Sequence, residues 1–437
     1  MMNVFKPVFS CLIALLLLVN AAGATEQRIT PDGDALQAHI DAAADGDVLV
    51  LTPGVYAGGV TIKRPLTLRG EPGAVIDAGG EGDVVRVEAA DVRIEGLTLR
   101  NSGFNLTDMN AGVHAARGAH NLHVEGNNLE DVAFGVWAWH LEGVRVLDNR
   151  IASNPAVRSQ DRGDAIRLFN IRHGLVAYNT VRDARDGVYI DTSEHVEFRA
   201  NHFAAVRYAI HYMYSHHGRI VDNVTTDTRS GYALMMSNHL EVIGNRSVAD
   251  RNYGFLLNFV NHSTLADNRV DRVTGWSGAT GSDHGVTLGS EGKALFIYNS
   301  QSNQIRDNVF ANSEIGIHLT AGSEGNRIHG NNFVNNRTQV MYVATRKQDW
   351  SHEGRGNYWS DYLGWDLSGD GVGDHAYEPN DSVDRLLWMY PMARVLMNSP
   401  AVQLLRWVQR EFPILRPSGV KDSAPLMRPT RSLEELG

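Results

Sequence analysis

Between residues 208 and 217 the sequence reads YAIHYMYSHH, which gathers His211, Met213, His216 and His217 into ten positions. Imidazole and thioether together suit Cu(I), whereas a hard cation would ask for carboxylates. Read as a strand, the stretch alternates, so His211 and Met213 share one side and Ile210 and Tyr212 the other. Two residue rises separate His211 from Met213, about 6.5 Å. One repeat later comes YALMMSNH, which adds Met235 and Met236. The candidate copper ligands are therefore His211, Met213, Met235 and Met236, with His216 and His217 as auxiliary ligands. The plainer alternative is that these methionines are filler packed beneath a loop or a partner.

A second cation pattern lies near the C-terminus. DLSGDGVGD places Asp366, Ser368, Asp370, the Val372 carbonyl and Asp374 at alternate positions around Gly371, like the first part of an EF-hand or dockerin calcium loop. The glutamate expected at the twelfth position is absent, because Tyr377 stands there. Structural calcium is one expectation for this loop, and a glycine-rich acidic turn is the other.

Such residues need a scaffold, and the chain is periodic enough to supply one. Asn127, Asn149, Asn179, Asn201, Asn223, Asn245, Asn268, Asn308 and Asn331 recur at steps of 22 or 23 residues, broken by one step of 30 and one of 40. Eight or nine residues after most of them a small residue opens a short alternating run, as at Gly135, Gly187, Ala209, Gly231, Gly254 and Gly316. Six residues before the asparagine stand His173, His195, His217 and His239, joined by His262. This pattern predicts an all-β fold, a right-handed parallel β-helix of coils near 22 residues. Coils would stack about 4.8 Å apart, so equivalent residues form ladders. A polar ladder explains both the asparagines and the five histidines without any chemistry.

Within each alternating run, Val188, Ile190, Ile210, Tyr212, Leu234, Phe255 and Leu257 are expected to point inward. Trp137, Trp139, Arg167, Phe169, Tyr189, Asp191, His211, Met213, Ala233, Met235, His318 and Met341 are expected to point outward. Two insertions, 152–164 and 274–285, leave from one corner and frame four regular coils that include the methionines. A further bulge, SEGKALFIY (290–298), is expected at the opposite end of the same strand. Insertions on one side of a solenoid often mark its binding side.

The ends read differently. Residues 1–24, with an apolar run and Ala22-Gly23-Ala24, have the form of a secretory signal peptide. Cys11, the sole cysteine, lies inside it, so a mature chain has no thiolate to offer a metal. Residues 25–75 are expected to form an N-terminal cap and the first coils, with DGDALQAHIDAAA as a short helix over the open strand edge. The β-helix is expected over 76–365 and the calcium-like cap over 366–384. Residues 385–437 read as two short amphipathic helices broken around Pro400, then an extended tail, PILRPSGVKDSAPLMRP. Those helices could lie at a membrane interface, dock on a membrane protein, or pack back on the solenoid. The net charge of −10 and the few lysines argue against nucleic acid as a partner.

Taken together, GNYWSDY, GDAIRLFNIRHG, DGVYIDTSEH, RYAIHYMYSHHGRIVDN, YALMMSNHLEVIGNRS and the apolar C-terminal segment make the chain resemble the NosD family. The resemblance implies a periplasmic β-helix protein required for maturation of nitrous oxide reductase. It implies partnership with an ABC transporter (a membrane permease and a cytoplasmic ATPase), with a copper-carrying lipoprotein chaperone and with the reductase apoprotein. It also implies a copper-handling protein that is not itself an enzyme. The family does not fix the ligands, and the copper set above comes from spacing. The rival reading is a polysaccharide lyase, hydrolase or epimerase, for which Asp164, Arg167, Asp186, Tyr189, Asp191 and His211 could supply base and charge neutraliser. A purely structural adhesin is a third reading, and it leaves the apolar C-terminal helices unexplained.

Overall fold

Most strands of this protein are three residues long, and many of them turn only the middle side chain inward. In Glu197–Arg199 only Phe198 is buried, and in Thr180–Arg182 only Val181. Neither strand could bury enough apolar surface alone. Stacked in register, however, Val176, Phe198, Ile220 and Val242 form one column of a continuous core. The computed structural model describes residues 24–275, 292–411 and 419–431, apart from 34, 343, 345, 391, 392, 394, 395, 397 and 398. The proposed signal peptide and most of the 274–285 insertion lie outside the described residues.

Three parallel sheets of 13, 12 and 13 strands wind around this core as a β-solenoid. One coil runs from the second sheet (Tyr208–Met213) to the first (Arg219–Val221) and then to the third (Val224–Thr226). The second sheet carries the longer strands and buries at least two side chains from each. Val188, Ile190, Ile210, Tyr212, Leu234, Phe255 and Leu257 all point inward and are fully buried, as the alternation predicts.

The asparagine column is a ladder at the corner between first and third sheets. The side-chain amide of Asn223 donates to Asn245 Oδ1 (2.9 Å) and to the Phe198 carbonyl (2.9 Å), and its backbone N–H donates to the same Oδ1 (3.0 Å). The same side-chain step repeats from Asn127 through Asn357. Ser193, Ser215 and Ser237 form a second, shorter ladder, each backbone N–H donating to the next hydroxyl. The histidine column is a stack as well. Ring centroids from His173 to His262 lie 4.9–5.6 Å apart with planes within 19°. All five histidines have φ between 51° and 57°, so each occupies a left-handed corner.

Both open edges of the second sheet are met by an amide side chain. At the N-terminal end, helix α1 (Leu36–Ala42) buries Leu36 and Ile40. Its Gln37 side chain accepts from the Thr61 N–H (2.7 Å) and donates to the Thr61 carbonyl (3.0 Å), as a neighbouring strand would. At the other end Asn380 Nδ2 donates to the Val340 carbonyl (2.8 Å). Stacked Phe333, Trp350 and Trp359 close the interior there.

The two C-terminal helices are α2 (Ser382–Met389), opened by an Asp381/Asp384 capping box, and α3 (Pro400–Glu411). Arg406 of α3 donates to Asp384 (3.0 Å), while Leu404, Leu405 and Trp407 stay exposed. No described helix is long and apolar enough to cross a membrane.

Two expectations need correction. Residues 293–298 are not a bulge: Lys293–Tyr298 is the second-sheet strand itself, paired residue for residue with Tyr253–Asn258. The extra length lies wholly before it. Nor are residues 419–431 a free tail. Val420–Lys421 pairs with Gln348–Asp349, Thr430 bonds Asn332, and Asp422 reaches Asn357.

Candidate metal site

The outward face of the second sheet is a set of columns fixed by the pairing register. One column runs Arg167, Tyr189, His211, Ala233; the next runs Phe169, Asp191, Met213, Met235. Met213 and Met235 are therefore neighbours across one rung, both half-buried. Met236 lies just past its strand at φ 51°, in the corner. The thioether of Met213 accepts a hydrogen bond from the Tyr189 hydroxyl (3.3 Å).

His211 is not the exposed residue that alternation suggests. It is only 9% exposed. Its ring packs against Tyr189 edge-on (4.5 Å) and against Tyr208 (4.8 Å). Its Nδ1 lies 3.0 Å from Asp186 Oδ2. Alternation says which side of a strand a residue faces, but not which neighbours close over it.

Asp186 is fully buried at the strand's first position, and Arg207 of the following coil forks onto it, with both N···O distances 2.7 Å. Burial opposes its charge. The hydrogen bonds from His211 and Arg207 outweigh that opposition and hold its pKa below the ordinary carboxylate value. One coil earlier Arg185 forks onto the equally buried Asp164 (3.0 and 3.1 Å), joined there by Arg167 (3.0 Å). The Arg167 guanidinium lies 3.7 Å over the Tyr189 ring. Asp164, Arg167, Asp186, Tyr189 and His211 are thus brought together, but as paired ions and stacked rings. Asp191, one column over beside Met213, accepts from the Thr192 hydroxyl (2.8 Å). Spacing could not flag Arg185 and Arg207 as partners, because each pairs diagonally, 21 residues on, rather than at the repeat length.

His216 and His217 do not join the methionines. They follow at the next corner, where His217 belongs to the imidazole stack and His216 Nδ1 accepts the Asn238 N–H (3.1 Å). Among the described residues, no group of three or more histidine, cysteine or carboxylate side chains is placed to hold a metal ion. Any soft-metal site on this face therefore needs thioethers alongside an imidazole. In the calcium-like loop, Asp366 accepts from the backbone N–H groups of Gly369 (2.6 Å), Asp370 (3.3 Å) and Gly371 (2.8 Å). Asp374 accepts from Leu367 N–H (2.7 Å). These carboxylates are engaged in closing the turn.

Fold and face together define a β-solenoid that presents paired thioethers beside a carboxylate-held imidazole. A family model described as "Periplasmic copper-binding protein (NosD)" matches residues 147–364. Two curated proteins, each named "Probable ABC transporter binding protein NosD", align over nearly the whole chain. The one from Pseudomonas aeruginosa is 53% identical and covers 95% of each chain. The one from Stutzerimonas stutzeri is 49% identical and covers 97% of this chain and 96% of its own. The chain belongs to the NosD family. Among solved structures it is similar to a thermostable α-1,3-glucanase of Streptomyces thermodiastaticus (TM-score 0.52, 16% identity, 77% of this chain and 65% of that one). It is also similar to the Dettilon tailspike protein (TM-score 0.50, 15% identity, 73% and 69%). At these identities the likeness concerns the fold alone.

Proposed function

We propose that this protein is a periplasmic copper-handling accessory factor for nitrous oxide reductase. It would be exported by the signal peptide of residues 1–24. On this reading it receives Cu(I) from a lipoprotein chaperone, passes it toward the reductase apoprotein, and works with an ABC transporter permease and ATPase. The chain itself is a carrier, and ATP hydrolysis belongs to the partner. The observation that carries the reading is the register that sets Met213 beside Met235 on the His211 face, in a family described as copper-binding. Neutral thioethers and an imidazole favour Cu(I) over hard cations and permit its release. The exposed Leu404, Leu405 and Trp407 of α3 supply an apolar surface for the permease.

The test is Cu(I) titration of the purified mature protein against a His211→Ala/Met213→Ala/Met235→Ala variant. The native protein should bind and the variant should lose most of its affinity. Equal binding by both removes the site assignment. Turnover of oligouronates by the native protein would instead support the polysaccharide-enzyme reading.

A further inference from the structure

The ion pair beneath His211 has a counterpart that shows what is particular about it. Asp164–Arg185 and Asp186–Arg207 are the same forked pair in successive coils, each carboxylate fully buried and each arginine one coil later. Above Asp164 the equivalent outward positions hold Arg167 and Tyr189; above Asp186 they hold Tyr189 and His211. The pair is thus a repeated element of the scaffold, and an imidazole has been placed on the second copy.

That placement settles where the imidazole's proton sits. Both oxygens of Asp186 already accept from Arg207, so the carboxylate is an ionised acceptor with no hydrogen to give. The hydrogen in the 3.0 Å contact with His211 must therefore sit on Nδ1. The lone pair of a neutral His211 is then on Nε2. Among the described residues Nε2 makes no hydrogen bond, and it is not one of the buried orphan atoms. The Tyr189 and Tyr208 rings limit rotation of the imidazole.

We propose that Asp186, steadied by Arg207, is a positioning residue that fixes His211 as an Nε2 ligand for Cu(I) beside Met213 and Met235. This rests on reading the methionine face as the copper site. A carboxylate behind a ligating histidine sets its tautomer and orientation and raises its basicity, and removing it typically costs 10–100-fold in metal affinity. The Arg207 charge cancels that of Asp186, so the support adds direction without adding a net anion that would hold the ion too tightly for transfer.

Affinity for Cu(I) should be measured by competition with a chromophoric chelator for the full mature chain, Asp186→Asn, His211→Ala, Met213→Ala and the Asp186→Asn/His211→Ala double variant. Asp186→Asn is expected to weaken binding roughly 10–100-fold, His211→Ala at least as much, and the double variant no more than His211→Ala alone. Native affinity in Asp186→Asn, or an equal further loss in the His211→Ala background, overturns the positioning role. Loss in Met213→Ala with native affinity in His211→Ala leaves the copper reading standing and removes this inference; native affinity in both removes the copper reading. Nitrogen-15 NMR of histidine-labelled wild-type apoprotein needs no variant. His211 is expected with its hydrogen on Nδ1 and a bare Nε2, and the opposite tautomer sinks the proposal.

Discussion

The Tyr189 hydroxyl donates to the Met213 thioether across a single rung, at 3.3 Å. A sulfur engaged in this way must give up that bond before it can bind a metal. Tyr189→Phe removes the competitor while keeping the ring under Arg167. Cu(I) affinity should rise about three-fold, since a neutral hydrogen bond is worth on the order of 1 kcal/mol or less. Chelator competition reads this directly; a fall in affinity would mean that the tyrosine assists binding.

Asn223 sits mid-ladder, donating to Phe198 and Asn245 and accepting from Asn201. Asn223→Ala takes the partner from the buried Phe198 carbonyl and from the Asn201 backbone and side-chain donors of the preceding coil. Unfolding free energy should drop by roughly 3 kcal/mol or more, as each buried orphan costs about 1–3 kcal/mol. Urea melts of the variant and the native protein make the comparison.

Asp250 is a carboxylate inside the solenoid, fully buried, with Ser247, Thr225 and Thr228 as its hydrogen-bond donors. Burial pushes its pKa up despite those bonds. A raised folded-state value means that folding favours the neutral acid over the carboxylate relative to the unfolded chain. Its stabilising contribution is complete below the unfolded value near 3.8 and declines as pH climbs through the folded value. Asp250→Asn should therefore gain on the native protein as pH rises from acid to neutral, which paired melts at several pH values would show. A constant difference across that range would mean that Asp250 does not titrate there.

The Tyr212 hydroxyl points into the core, and it has no hydrogen-bond partner among the described residues. Burying it unpaired is a cost, so Tyr212→Phe should hold stability level or raise it by up to about 1 kcal/mol. The same hydroxyl explains Gly218, where a Cβ would come within 2.0 Å of it. Gly218→Ala should destabilise strongly, and less so in the Tyr212→Phe background. Thermal unfolding of the three variants tests both statements.

The fold was readable because its columns repeat at the spacing of the coil: Asn179, Asn201 and Asn223 each announce a corner, and Val188 and Ile190 each announce an inner face. The NosD resemblance likewise rested on whole coils. What spacing could not reveal is anything held together off the repeat. Asp186 pairs with Arg207 21 residues on, a diagonal contact with no local signature. The 40-residue step from Asn268 to Asn308 hid which part was inserted, so Lys293–Tyr298 read as a bulge instead of a strand. His211 was placed on the correct side, but its burial depends on the ring of Tyr208 at the start of its own strand and that of Tyr189 in the preceding coil. Composition described the segment around Asp422 as a tail, since nothing nearby in the chain hints at its distant partner.

That partner gives the molecule a direction of assembly. Asp422 accepts from the Asn357 backbone N–H (2.7 Å), the Asn357 amide (3.1 Å) and the Trp359 indole (2.8 Å), across 63 to 65 residues of chain. Coils can pile up one after another as the polypeptide emerges, yet the final rung keeps its donors unanswered until a segment 63 to 65 residues further on comes back to it. A polypeptide cut short before residue 419 would retain every coil and still show a raw strand edge, inviting aggregation or proteolysis. Winding the last coil and sealing it are, for this solenoid, two separate steps joined by one returning segment.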